Sequence, residues 1–238
     1  MNPINPVSRK SPLFKTVVSK ACLKQEVYFK TLDIFNLFRK DVQLLVEDYY
    51  RQVTKTCYPI PFEFRDEGVF SFQLKFGSDI LIFFMHSNVF EISRDHEVMK
   101  SAYIREDKTR SYCGIIHIFN FLGDSFKYNR TSDVGYLIGR IFINRERHYF
   151  IEGKREVGLL YNNFPTSKMN LKSVRSIIRS AIVYASNFDL LTPPFDSMKE
   201  VTVQEMKTVL EAMNIRTGKR LGFRFQADEV ENENPPGS

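Results

Sequence analysis

The 238-residue chain is 43% hydrophobic and 26% charged, which places it with folded globular sequences rather than disordered ones. No apolar run reaches the roughly 18 residues needed to span a bilayer, the opening MNPINPVSRKSPLF has no signal-type apolar segment, and Cys22, Cys57 and Cys113 lack C-x-x-C spacing; the expectation is a cytoplasmic chain with reduced thiols and no membrane partner. The net charge of +6 is uneven: residues 1–40 carry eight basic groups against Glu26 and Asp33, whereas the final stretch holds Asp228, Glu229, Glu231 and Glu233. This divides the chain into a basic leader (1–24), a single α+β domain (25–226) and an acidic tail (227–238) too polar to order itself.

From about Gln25 to Thr54 there is no Gly or Pro, and Val27, Thr31, Ile34, Phe35, Phe38, Val42, Leu45, Tyr49 and Val53 recur at helical intervals. Such a helix either crosses its own sheet or meets a partner, and Leu32, Leu37, Leu44 and Val46 off the main stripe leave room for a second covered face. Pro59 and Pro61 stop it. FEFR, VFSFQLKF, DILIFFM and VFEI then read as short strands separated by turn-forming DEG, GS and HSN. Phe70, Phe72, Leu74 and Phe76 share one parity, so that strand is half buried, while DILIFFM is apolar on both parities and is expected to be covered on both faces.

Residues 93–112 are charged and broken, as a loop or short helix would be. CGIIHIFNFL returns to strand, GDSFKYNRTSD reads as a loop or small hairpin, VGYLIGRIFI and HYFIEG form a hairpin across NRER, and VGLLY adds a short strand. Gly135 and Gly139 inside a strand suggest a bulge or close backbone approach. Residues 170–187 are helical, TPP breaks the chain, and VTVQEMKTVLEAM makes a last helix with Thr202 and Glu205 spaced as a capping box. The expected fold class is α+β: a mostly antiparallel sheet of roughly six to eight strands, packed with a long N-terminal helix and two C-terminal helices.

Three sites follow. Glu152-Gly153-Lys154 has the spacing of a metal-dependent nuclease, in which two carboxylates share a magnesium ion and a lysine acts on the water. With Ile143 opposite His148, Glu152 faces Gly139, Lys154 faces Leu137 and Asp133 faces Gly158, six residues or roughly 20 Å away; Asp79 is the remaining acid that could serve. The four histidines, His86, His96, His117 and His148, show no close metal-ligand spacing; His117 is expected to be a hydrogen-bonded sheet residue, and His96, between Asp95 and Glu97 in the charged segment, is a candidate acid or base.

The third site is electrostatic. Lys168, Lys172, Arg175 and Arg179 fall within about 60° on a helix at 100° per residue, and Arg216, Lys219, Arg220 and Arg224 add to them. The resulting expectation is a non-catalytic binding or accessory protein contacting nucleic acid or another polyanion through this face. The alternatives are an interaction scaffold or homodimer built on residues 25–54, with Phe35, Phe38 and Val42 at the contact, and a nuclease using Glu152 and Lys154. No cofactor is expected, magnesium excepted in the nuclease case, and no metal ligand set is apparent.

Overall fold

A computed structural model describes residues 12–53, 58–131, 133–154, 163–192, 194–204 and 206. Helix α1 (Pro12–Gln52) is 41 residues long, about 60 Å at 1.5 Å per residue. It begins 13 residues before the expected Gln25. Pro12 occupies its first turn, where a missing N–H breaks no helical bond. The earlier start is not legible in the core periodicity because Leu13, Phe14, Val17 and Val18 stay exposed. Further along, Val27, Thr31, Ile34, Phe35, Phe38, Asp41 and Val42 are buried, one stripe laid along a sheet.

That sheet comprises β1 (Phe62–Asp66), β2 (Ser71–Phe76), β3 (Asp79–Met85), β4 (Phe90–Glu91), β5 (Tyr112–Leu122), β6 (Tyr136–Asn144) and β7 (Tyr149–Gly153). All pairs are antiparallel, in the order β1-β2-β3-β5-β6-β7, with β4 beside the start of β5. Gly77, at φ +53°, makes the tight β2–β3 turn that a side-chain-bearing residue would strain. On the helix face, Phe72, Leu74, Leu81, Phe83, Met85, Ile116, Ile118, Ile141 and Ile151 pack with Phe35 and Phe38 of α1 and with Val174, Ile177 and Ile178 of α4 (Leu171–Ser186). Gly114 of β5 lies under α1, where a Cβ would come within 2.2 Å of Thr31 Oγ1. The side chain of Asn170 caps α4 by accepting from Ser173 N–H at 2.9 Å, and Arg175 Nε donates to Asp41 Oδ1 at 2.9 Å, tying α4 to α1.

The other face is only partly covered. Residues 93–111 fold as two 3-10 turns (Glu97–Lys100 and Lys108–Ser111) around α2 (Ala102–Glu106), and Ile104 from this region, with Ile92 just before it, closes over Ile115, Phe142 and Phe150. A polar network pins the insertion to the β6–β7 hairpin. Tyr103 donates to Glu146 at 2.8 Å, Arg110 Nε donates to the same carboxylate at 3.1 Å, Asn144 donates to Tyr103 at 2.9 Å, and Arg145 pairs with Asp107 at 2.7 Å. Burial pushes the Tyr103 hydroxyl up to about 12, with Glu146 adding to it and the Asn144 bond working against it.

Three expectations are corrected here, while the free Cys22 and Cys113 accord with the reduced thiols expected. Among the described residues the DILIFFM strand is only partly covered on its second face: Ile80 is buried, Ile82 half-buried and Phe84 37% exposed. GDSFKYNRTSD is a short helix, α3 (Gly123–Lys127), followed by a turn that the Arg130–Asp133 pair closes at 2.9 Å. Cys22 is an exposed thiol, while burial pushes the Cys113 thiol up; Cys57 lies outside the described residues. The Phe35, Phe38 and Val42 face is fully buried on its own sheet and so offers nothing to a second chain. A bulge at Ile118/Phe119, opposite Leu137 to Gly139, accords with the glycine reading, and Gly135 presses on the Phe121 ring. After one-turn α5 (Phe195–Met198), residues 203, 204 and 206 are helical; the rest of the expected last helix, Glu205, the VGLLY strand and the acidic tail lie outside the described residues. No helix among the described residues is long and apolar enough to cross a membrane.

Candidate functional site

The fate of Glu152 turns on one loop. Asn144 Oδ1 accepts from both Glu146 N–H and His148 N–H at 3.0 Å, Asn144 N–H donates to His148 O, and Arg147 sits at φ +64°. The loop therefore spans three residues, with a non-glycine in the left-handed region. Ile143 consequently pairs with Tyr149 and not with His148, and Glu152 faces Arg140 and not Gly139. A slip of one residue exchanges the faces of a strand relative to its neighbour. Glu152 thus belongs to the row Ser71–Phe84–His117–Arg140–Glu152 on the partly covered face.

Around Glu152 the groups satisfy one another. Arg140 Nε donates to Oε2 at 2.8 Å, with a second guanidinium nitrogen on the same oxygen. His96 Nε2 lies 3.0 Å from Oε1, and His96 Nδ1 accepts from Val98 N–H at 3.2 Å. Since Nδ1 receives a hydrogen bond, Nε2 is the nitrogen that carries the proton toward Glu152. Both ring nitrogens and both carboxylate oxygens are engaged within this clamp. The histidine also packs on Phe150, 5.2 Å between centroids, and helps line a concavity of about 700 Å³ with Asp95, Glu97, Ser101, Phe164 and Pro165.

The other catalytic candidates lie elsewhere. Asp79 begins β3 opposite Leu122, five residues along from Phe84 and three strands across from Glu152, roughly 20 Å away and on the helix face. Asp133 precedes β6 and is held by Arg130 and by Ser125 Oγ at 2.7 Å. Lys154 is exposed just past β7, its N–H donating to Ile138 O at 3.1 Å. No group of three or more His, Cys, Asp or Glu among the described residues is arranged to hold a metal ion. His148 hydrogen-bonds Phe164 O at 3.0 Å through Nδ1 and stacks on Tyr103, and His86 accepts from Asn88 N–H through Nδ1 at 3.0 Å.

The basic helix face is thinner than its periodicity implies. Lys168 precedes α4 and bridges to His148 through backbone, and Arg175 is turned onto Asp41. Lys172 and Arg179 point outward, Arg179 beside a shallow concavity of about 520 Å³ with Ser176, Ser180, Tyr184 and Asn187. Arg216, Lys219, Arg220 and Arg224 lie outside the described residues.

A further surface had no motif to announce it. Beyond the insertion, the open half of the sheet presents Phe84 and Phe90 at 37% exposure and Leu137 at 40%, with Ile82, His117 and Phe119 half-buried between them. His117 lies between Phe84 at 6.1 Å and Phe119 at 5.7 Å, and His86 meets Phe90 edge-on at 4.7 Å. His117 Nδ1 is buried with no hydrogen-bond partner among the described residues. Burial first, then Arg140 and His86, hold this imidazole below its ordinary value and favour its neutral form. The rim carries matched charges: Arg65 with Glu67 at 2.9 Å, Lys75 opposite Glu63, and Arg140 with Glu152. The available signal was strand parity, since Phe84 and His86, like His117 and Phe119, alternate with core residues.

Comparison of the chain with models of known protein families, with curated proteins and with solved structures finds no match.

Proposed function

We propose that the protein is a non-catalytic binding module that associates with a second copy of itself through the open sheet face. The observation that carries this reading is the composition of that face: an aromatic and aliphatic centre around Phe84, Phe90, His117 and Leu137, with a rim whose three cations each have an anion beside them. A neutral, self-complementary rim gives a polyanion no net attraction but lets two copies pair in an isologous contact. The mutual satisfaction of Glu152, His96 and Arg140 supports a structural role for the sequence's best catalytic candidate. The test is the mass in solution of the wild type and of Phe84→Asp with Leu137→Asp, two part-exposed positions that tolerate charge in a monomer. A wild-type dimer at micromolar concentration and a folded monomeric variant are expected. A wild type that stays monomeric into the hundreds of micromolar, or a dimer that persists in the variant, overturns the reading.

A second reading, binding of a polyanion such as nucleic acid, rests on α4. The helix contains no acidic residue, and Lys172 and Arg179 project from it beside the hydroxyls of Ser176 and Ser180, groups suited to phosphate oxygens.

A further inference from the structure

Residues 12–22 of α1 are all exposed, and buried contact with the body begins at Val27. This tip, about 16 Å long at 1.5 Å per residue, carries large apolar side chains that pack on nothing described: Leu13 is 65% exposed, Phe14 64%, Val17 56% and Val18 58%. At 100° per residue Phe14, Val17, Val18 and Ala21 share an arc of about 100°, and Lys15 and Lys20 stand about 60° outside its two edges. Thr16 and Ser19 occupy the back, their hydroxyls donating to Pro12 O and Thr16 O at 3.0 Å. No acidic residue precedes Glu26, and Arg9 and Lys10 add to Lys15, Lys20 and Lys24 in the sequence. The tip's direction is fixed by Lys20, whose ammonium lies 4.1 Å from the Tyr112 ring centroid while Tyr112 donates to Glu91 at 2.8 Å.

An apolar arc flanked by lysines, with no acidic residue on the tip itself, decides among occupants by charge. Lys20 has Glu91 behind Tyr112, but a second tip would still bring Lys15 and Lys24 of both copies together with no acidic residue on either tip. The chain's own acidic tail supplies charge but, apart from its prolines, only Ala227 and Val230 as apolar residues. A nucleic acid would match the lysines and leave Phe14 and Val18 in water. A flat anionic lipid surface meets both features, apolar side chains entering the acyl boundary and lysines reaching headgroup phosphates. We propose that the projecting end of α1 docks on anionic membrane surfaces, with Phe14, Val17 and Val18 inserted and Lys15 and Lys24 at the headgroups.

The test is cosedimentation of the full chain with vesicles of phosphatidylserine and phosphatidylcholine, compared with phosphatidylcholine alone. Binding to the mixed vesicles is expected, weakened by salt and weaker still without phosphatidylserine. Phe14→Ser with Val18→Ser, at exposed positions that leave the core intact, should lower the partition coefficient at least tenfold. Lys15→Ala with Lys24→Ala should lower it roughly 25-fold, about fivefold per lysine. The open-face variant Phe84→Asp with Leu137→Asp should bind vesicles like the wild type, so this inference stands or falls separately from the proposed self-association. No binding at low salt, equal binding by the tip variants, or a wild-type dimer dissolved by Phe14→Ser with Val18→Ser overturns it.

Discussion

Gly114→Ala probes the contact on which the whole helix layer depends. The added methyl would lie 2.2 Å from Thr31 Oγ1 and 2.8 Å from both its Cβ and Cγ2, where ordinary contact begins at about 3.4 Å. Relief needs a shift of about 1.2 Å, and neither partner yields easily: Gly114 is paired to Ile143 in the middle of the sheet, and Thr31 is a fully buried turn of α1 whose hydroxyl bonds Val27 O at 2.8 Å. Lifting α1 loosens Val27, Phe35 and Phe38 together. Overpacking costs of about 1–3 kcal/mol are usual, and a clash between two backbone-anchored groups belongs at the upper end. With a urea slope of about 2 kcal/mol/M, the unfolding midpoint should fall by roughly 1.5 M. Thr31→Ala removes Oγ1 and Cγ2 and leaves only the Cβ contact, so the double variant should recover about half of the Gly114→Ala loss, a coupling that independent sites do not show. A midpoint within about 0.3 M of wild type, or no recovery in the double variant, would refute this packing of α1 on β5.

Two further predictions concern charge. Burial works to raise the Glu146 carboxyl, but the Tyr103 and Arg110 hydrogen bonds outweigh it and hold the group below its ordinary 4.5. A depressed carboxylate contributes stability above its unfolded value that is lost as pH falls, so urea midpoints should drop below about pH 4.5, and Glu146→Gln should flatten that acid limb. Asp107, held low by the Thr109 hydroxyl and backbone N–H, adds to the same limb and leaves a residual slope in the variant. For the polyanion reading, Lys172→Glu with Arg179→Glu should abolish a low-salt shift of mixed-sequence DNA or RNA; if the shift survives, α4 is not the surface responsible.

The helix layer was legible because burial repeats. Val27, Thr31, Ile34, Phe35, Phe38 and Val42 were read from intervals of three and four and each is buried, whereas Leu45 and Tyr49 of the same stripe are half-buried and Val53 is exposed. The tip of α1 was missed for the complementary reason: its apolar residues face nothing in the chain, so they extend no core stripe. Arg175 reads as a polyanion-binding base and nothing in the sequence singles out Asp41, yet the two bind each other across 134 residues of sequence. Periodicity assigns a residue to a face of its own helix and carries no information about which distant element packs beside that face.

The register of the last hairpin shows why the site was harder to read than the fold. NRER admits more than one turn, and the choice falls to Asn144, whose side-chain oxygen collects two backbone N–H groups, and to Arg147 in a left-handed conformation that sequence gives little reason to expect. Moving the pairing by one residue leaves every strand boundary nearly unchanged but replaces Gly139 with Arg140 opposite Glu152. Opposite a glycine, that carboxylate would have kept both oxygens available for a metal ion. Opposite an arginine, and with His96 brought over by the insertion, it is neutralised and closes the edge of the insertion against the sheet. The apolar rows beyond that clamp, from Phe84 to Leu137, are left as the larger chemical opportunity on this face.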